Sequence, residues 1–306
     1  MQKSLLYLLS HPRYVIGALI SKGYFLFPSE KLYLKTMYRF KMHKKLDLVH
    51  PKTFNEKLNW IKLYDRKPIY PQMVDKYTAK LFVANKLRDY VEDDIVIPTV
   101  GVWSKGEEID WNILPEAFVL KASNGGGGNG IVICRQKSKL NKEEAIKKLN
   151  YNLKSDFYHS NLEWPYKNAK PQIIAEEFLD DGTGDLKDYK LFCFNGIMKF
   201  CKVDFGRFVE HHANYYDREW NLLPFGEVVC PPQPEHLEEK PENFNKMIKI
   251  AECLSQETLF LRVDLYNVSG KIYFGECTFF PGAGFNPFIP DEYDEVIGGY
   301  LKLPNT

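Results

Sequence analysis

Phe118-Val119-Leu120-Lys121-Ala122-Ser123-Asn124-Gly125-Gly126-Gly127-Gly128-Asn129-Gly130 runs straight into Ile131-Val132-Ile133-Cys134. Two short apolar runs read as strands, and the four consecutive glycines between them leave a loop with no side chains to shield its backbone. Its N–H groups can therefore approach a polyanion closely. Lys121 stands where the first strand enters the loop. An ammonium beside glycine-rich backbone suits a nucleotide triphosphate, because the side chain supplies a point charge while peptide dipoles wrap the phosphates. A plain hairpin needs only a two-residue loop, so this one is longer and freer than a turn demands. On this stretch alone, a glycine-rich turn and a phosphate flap both stay open.

A Walker loop is excluded, since it needs Gly-Lys-Ser/Thr leading into a helix, and here the lysine precedes the glycines and a strand follows them. A dinucleotide fingerprint also needs a helix after its last glycine. Strand, glycine loop and strand would instead make a flap folding over phosphates from above.

With 306 residues and 44% hydrophobic content, the chain is long enough for two or three subdomains and a full core. Its formal net charge of +1 argues against a nucleic-acid partner, which calls for a strong basic excess. Cys134, Cys193, Cys201, Cys230, Cys253 and Cys277 form no C-x-x-C pair and lie mostly in apolar runs, which predicts buried, reduced thiols and a cytoplasmic setting. Near the N-terminus, Leu5 to Leu9 and Tyr14 to Ile20 resemble targeting segments. His11, Pro12 and Arg13 interrupt them, and no run reaches the roughly 18 residues of a bilayer span. The first 45 residues are basic, from Lys3 and Arg13 to Lys44 and Lys45, with Glu30 their only acid. Such a segment either lies on an anionic membrane surface, here the inner face, or forms a solvated helical arm on the main body.

Thr53 to Tyr64 reads as an amphipathic helix with a Thr53/Glu56 capping box, and Met73 to Ala84 as a second helix. Strands are expected within Ile95 to Trp103 and over Gln172 to Leu179, with a surface helix over Ser138 to Asn150. Asn195-Gly196 predicts a tight hairpin between Asp188–Phe194 and Ile197–Val203. A helix over Glu242 to Gln256 precedes strands Leu259–Tyr266 and Lys271–Thr278, joined by the turn Asn267 to Gly270. Asp264 and Glu276 then lie on adjacent, antiparallel strands. Paired carboxylates with substrate phosphates are how Mg²⁺ is usually held.

In order, Asp75-Lys76, the Lys121 strand with its glycine loop, Ala175-Glu176-Glu177-Phe178-Leu179, Asp188-Tyr189-Lys190, Arg262-Val263-Asp264 and Glu276-Cys277-Thr278 followed by Pro281-Gly282 resemble the ATP-grasp superfamily over about three quarters of the chain. Phe54-Asn55-Glu56-Lys57, Asp75-Lys76-Tyr77 and Glu276 to Gly284 look like its TupA-like branch, associated with teichuronopeptide and other surface-polysaccharide synthesis. The resemblance implies an α+β ATP-grasp fold, two α+β subdomains clasping ATP. A helical N-terminal region, 1–72, would precede an ATP-grasp domain, 73–306, made of a flap subdomain at about 116–180 and a metal-binding subdomain at about 186–300.

It also implies roles. Lys76 and Lys121 would contact the ATP phosphates, and Gly125, Gly126, Gly127 and Gly128 would close over them. Glu176, Glu177, Phe178 and Leu179 would form the adenine pocket, with an acid at Asp180 or Asp181 reaching the ribose. Lys190 and Lys202 would approach the terminal phosphate, Arg262 would stabilise the transferred phosphoryl group, and Asp264, Glu276 and Thr278 would hold Mg²⁺. Thr278 stands where the superfamily usually has asparagine. The implied activity is an ATP-dependent carboxylate–amine ligase working through an acyl-phosphate, joining an amino acid or amine to a uronic acid, as a small molecule or a lipid-linked saccharide, in capsule-like polysaccharide assembly. Phosphotransfer to a sugar is the alternative. Family labels add glycosyltransferase, against which stands the absence of a D-x-D motif. Pro281 to Phe285 would border the acceptor pocket, and His211-His212 are substrate contacts or structural histidines.

Overall fold

The computed structural model describes residues 22–124, 130–182, 184, 186–206 and 210–304, so Gly125, Gly126, Gly127 and Gly128 lie outside the described residues. Helix α1 (Glu30–Met42) starts where Ser29 Oγ accepts from the Leu32 N–H and ends at His43 in the left-handed region. Helix α2 (Phe54–Tyr64) carries the expected capping box: Thr53 Oγ1 accepts from Glu56 N at 3.2 Å, and Glu56 Oε2 accepts from Thr53 N at 3.0 Å. Its apolar face does not form a core of its own. Phe54 meets Phe260 at 4.9 Å between ring centroids, so α2 joins the main core.

The helix expected over 73–84 is two helices, α3 (Tyr70–Val74) and α4 (Thr78–Leu87). Asp75 causes the break. Its Oδ1 accepts from the Tyr77 and Thr78 N–H groups at 3.1 and 2.9 Å, which caps α4, while its Oδ2 accepts from Ser123 Oγ at 2.5 Å. Lys76 therefore leaves the helix, and its N–H donates to Ser123 O at 2.9 Å, next to the glycine loop.

Two antiparallel sheets follow. The smaller contains β1 (Thr99–Trp103), β2 (Phe118–Ala122), β3 (Ile131–Cys134) and β4 (Ile173–Glu177), in the order β1-β4-β2-β3. Helix α5 (Lys142–Leu153), capped by Asn141, covers it over a core that includes Phe118, Leu120, Leu149 and Ile173. A short helix, α6 (Phe157–Asn161), leads on to β4. The larger sheet contains β5 (Asp188–Phe194), β6 (Ile197–Phe205), β7 (His212–Tyr216), β9 (Phe260–Val268) and β10 (Lys271–Thr278), ordered β10-β9-β5-β6-β7. A two-residue strand β8 (Gly226–Glu227) pairs with β11 (Phe288–Ile289). Helix α7 (Phe244–Ser255) packs on β5, β6 and β9, and α8 (Tyr293–Tyr300) packs on α2.

Both hairpins turn where the chain supplies left-handed residues: Asn195 and Gly196 have φ of 48° and 82°, and Ser269 and Gly270 have 50° and 83°. The second turn is tighter than expected, because Val268 still pairs with Lys271. Farther along the same hairpin, the register slips between Phe274 and Glu276. A bulge of this kind re-aims the side chains that follow. Here it brings Glu276, and not Gly275, opposite Asp264. A Cβ on Gly275 would sit 3.0 Å from Asp264 O and 3.2 Å from the Tyr266 ring, so the bulge needs glycine for close approach.

Candidate active site

An apolar cleft of about 160 Å³ opens between the two sheets. Val119, Ile131 and Ile133 line it from the flap side, and Leu186 and Tyr266 from the large sheet. The segment Glu176-Glu177-Phe178-Leu179-Asp180 forms one wall. Arg135, which sequence reading passed over, faces the same space with its guanidinium 4.9 Å from the centre of the Phe178 ring. Of the two acids expected near the ribose, Asp180 lines the cleft, and its Oδ1 accepts from the Gly182 N–H at 3.0 Å.

Lys121 reaches this cleft with 9% of its surface exposed. Its Nζ lies 2.5 Å from Glu176 Oε2, and Lys80 Nζ lies 2.6 Å from Glu176 Oε1. Burial pushes the Glu176 carboxyl up, but the two lysines outweigh it and hold the group below the usual carboxylate range. Glu176 is thus both cleft wall and anchor for Lys121. Lys80 also donates to Ile97 O and Thr99 Oγ1, each at 2.8 Å, tying α4 to β1.

Beyond Tyr266 the cleft meets a row of charged residues laid across the large sheet. Antiparallel register sets Glu276 opposite Asp264, Asp264 opposite Lys190, and Lys190 opposite Lys202. Directly opposed residues point to the same face. The next row adds Asp188 and Asp204, opposite each other. Lys190 sits among three carboxylates, paired with Asp188 and 3.2 Å from both Asp204 and Asp264. Burial lowers its proton affinity, but Asp188, Asp264 and Asp204 together raise it above the ordinary lysine value. Lys202 pairs with Glu227 at 2.6 Å and with Asp204 at 3.5 Å, and is likewise raised against burial.

The Asp264, Glu276 and Thr278 oxygens converge on a single nitrogen. Arg262 Nη2 is 2.7 Å from Asp264 Oδ2, 3.2 Å from Glu276 Oε1 and 3.1 Å from Thr278 Oγ1. Three hard oxygens around one cationic atom form a cradle whose donor chemistry suits Mg²⁺. Burial drives Asp264 above its ordinary value although Arg262 and Lys190 oppose it. Glu276 is also pushed up by burial, but Lys76, Arg262 and Lys190 prevail and hold it low. Lys76 Nζ stands 3.5 Å from Glu276 Oε2, which links the flap entrance to this cradle.

The turn that follows the cradle's last strand is held by residues far away in sequence. The turn Pro281–Gly284 follows β10 and rests on α2: Asn59 Nδ2 donates to Gly284 O at 2.7 Å, and Lys62 Nζ donates to Ala283 O at 2.7 Å. Burial lowers the Lys62 ammonium to about 7. His211 touches Asp204, whereas His212 bonds Pro231 O and faces away from the row. All six cysteines are buried and unpaired. Structure thus gathers Lys76, Lys121, Glu176, Lys190, Lys202, Arg262, Asp264, Glu276 and Thr278 along one path, with Glu177, Phe178 and Leu179 in the cleft wall. Lys80, Arg135, Asp204 and Glu227 were missed, and Asp188 was quoted in its motif without a role. A signal existed for two of them, since Asp188 and Asp204 each lie two residues from a lysine already singled out, on the same strand face.

A family model described as TupA-like ATPgrasp matches residues 56–302. No curated protein sequence matched the chain. Among solved structures, N5-carboxyaminoimidazole ribonucleotide synthetase in its ADP complex aligns with 73% of this chain and 50% of its own, at 17% identity and a TM-score of 0.42. D-alanine–D-alanine ligase from Bacillus anthracis aligns over 68% and 57%, at 16% identity and a TM-score of 0.41. The Helicobacter pylori enzyme of that name aligns over 83% and 68%, at 13% identity and a TM-score of 0.42. The chain spans about half the length of the first two.

Proposed function

Because the chain belongs to the TupA-like ATP-grasp family, we propose that it is an ATP-dependent ligase joining an amine or amino acid to a carboxylate, a uronic acid of a surface polysaccharide under assembly. The observation that carries this reading is the continuity of the site: an apolar cleft leads past Lys121 and Tyr266 into the Glu276, Asp264, Lys190 and Lys202 row. A nucleotide has the same order of parts, base first and charge last.

In this reading the wall from Glu177 to Asp180 faces adenine and ribose, and Lys121 and Lys76 hold the phosphates. Asp264, Glu276 and Thr278 would hold Mg²⁺, which supplies charge neutralisation at the terminal phosphates. Arg262 and Lys190 stabilise the charge that develops as the phosphoryl group moves to the carboxylate. The acyl-phosphate so formed is attacked by the amine, and free phosphate leaves. No protein nucleophile is required, since positioning and electrostatics provide the catalysis. The turn Pro281–Gly284, backed by Asn59 and Lys62, borders the acceptor. No helix among the described residues is long and apolar enough to cross a membrane. The basic N-terminal segment, with Phe25 and Leu26 exposed, suits peripheral contact with an anionic surface.

Product analysis tests the reaction. With ATP, Mg²⁺ and mixed uronic-acid and amino-acid candidates, ADP and free phosphate are expected in equal amounts, only when both a carboxylate and an amine are present. A stable phosphorylated sugar with no free phosphate would make the protein a kinase. The nucleotide site is tested separately by Lys121→Ala. Lys80 keeps Glu176 paired, so the fold should survive, while calorimetry should show ATP binding weakened about tenfold or more, roughly 1.4 kcal/mol. Unchanged affinity would remove Lys121 from the phosphate site.

A further inference from the structure

Three chemically different donors meet at the outer end of the large sheet, and the ligase chemistry uses none of them as a metal ligand. Asp204 closes β6, His211 leads into β7, and Cys230 follows β8. Asp204 Oδ1 lies 3.2 Å from His211 Nε2 and 3.8 Å from Cys230 Sγ, and all three donor atoms fall within 4.8 Å of one another. Among the described residues no other trio of histidine, cysteine or acidic donors converges so closely. We propose that Asp204, His211 and Cys230 form a second metal site, separate from the Asp264/Glu276 cradle, for a borderline divalent ion of the zinc type.

The geometry fits such an ion. Zinc bonds of about 2.3 Å to sulfur and about 2.0 Å to nitrogen and oxygen, arranged tetrahedrally, place oxygen and nitrogen about 3.3 Å apart and oxygen and sulfur about 3.5 Å apart. Two of the three edges already stand near those values. The third, from His211 to Cys230, lies within 4.8 Å and would close by rotation of His211, whose side chain is 45% exposed, whereas Asp204 and Cys230 are held at 4% and 2% exposure. A thiol and an imidazole beside one carboxylate are poor partners for Mg²⁺, which takes oxygen, and good ones for zinc. Asp204 also meets Lys190 through Oδ2 at 3.2 Å and Lys202 through Oδ1 at 3.5 Å, but the Oδ1 contact is the more distant one, and Glu227 at 2.6 Å is the main partner of Lys202.

Burial pushes the Cys230 thiol up to about 12, so the ion replaces the S–H proton, which is released to solvent as the sulfur–metal bond forms. Three protein ligands leave a fourth position open to water or an anion. Bound there, the ion would tie β6, β7 and the segment after β8 together beside Lys202 and Lys190.

Cobalt titration of chelator-stripped protein tests this without nucleotide, so its outcome is independent of the ligase reading. A thiolate-to-cobalt charge-transfer band should appear, saturate at a single equivalent and vanish on adding zinc. Cys230→Ser should abolish the band. His211→Ala alters an exposed side chain and leaves the core alone, so it should fold and should weaken cobalt binding at least about tenfold. No band in the folded wild-type chain, a band that survives Cys230→Ser, or unchanged cobalt affinity in His211→Ala would each overturn the site.

Discussion

Glu276→Gln is expected to lower ATP turnover at least about a hundredfold while leaving the melting temperature close to that of the unaltered chain. The two halves of that expectation have different sources. Glu276 Oε1 accepts from Arg262 Nη2 and from Thr278 Oγ1, each at 3.2 Å, and a glutamine amide oxygen can keep both bonds. Its side chain is also 27% exposed, so the substitution opens no cavity, and the 3.5 Å contact of Oε2 with Lys76 Nζ is the one bond the amide does not keep. What disappears is a charge. Asp264 is deeper, already bound in bidentate fashion by Arg262 and approached by Lys190, so Glu276 is the carboxylate of the cradle with most charge to give to a metal. Comparing Mg²⁺ dependence with thermal melting separates the two effects. Turnover within threefold of the unaltered chain would remove Glu276 from the metal site, and a collapsed melting transition would make it a structural residue.

How that site could be foreseen follows from how local its parts are. Two hairpins announce themselves in a handful of residues, because Asn195-Gly196 supplies the left-handed turn that β5 and β6 need, and the alternation of β9 and β10 brackets Ser269-Gly270. Capping by Thr53 and Glu56 is equally local. Other features depend on contacts that no window of sequence contains. Asp75 breaks a helix-like run because Ser123, 48 positions away, holds its second oxygen. Lys80 looks like one more solvated lysine on α4 until Glu176 arrives from β4 to meet it. Asp180 and Asp181 are equivalent as letters, and only the folded chain shows that Asp180 lines the cleft. The bulge before Glu276 is intermediate. Gly275 inside a strand is a recognised sign of a bulge or close approach, but only the register shows that it brings two carboxylates face to face.

Lys190→Met should be the most destabilising single change in the site, by about 3–5 kcal/mol at neutral pH, because it leaves buried carboxylates without their shared cation. Methionine keeps most of the volume and the unbranched shape, so the loss is electrostatic and not a cavity. Asp188, Asp204 and Asp264 all face Lys190, and Arg262 and Lys202 retain only part of that negative charge. The pH dependence identifies the cause. In the unaltered chain Lys190 is raised above the ordinary lysine value, so its contribution is fully present below about pH 10 and is lost only as the pH rises through its folded value. It is constant across the acidic and neutral range. Asp264, already pushed up by burial, loses one of the two cations that oppose burial, so its carboxyl rises further in the variant. A folded carboxylate raised above its unfolded value binds its proton where the unfolded chain has released it, and stability then falls as pH rises. The variant should therefore recover part of its loss when the pH is lowered from about 7 toward about 5, while the unaltered chain changes much less. Denaturant unfolding at both pH values measures this directly. An equal loss at both, or a loss below about 1 kcal/mol, would mean that Lys190 is not the cation holding the row together.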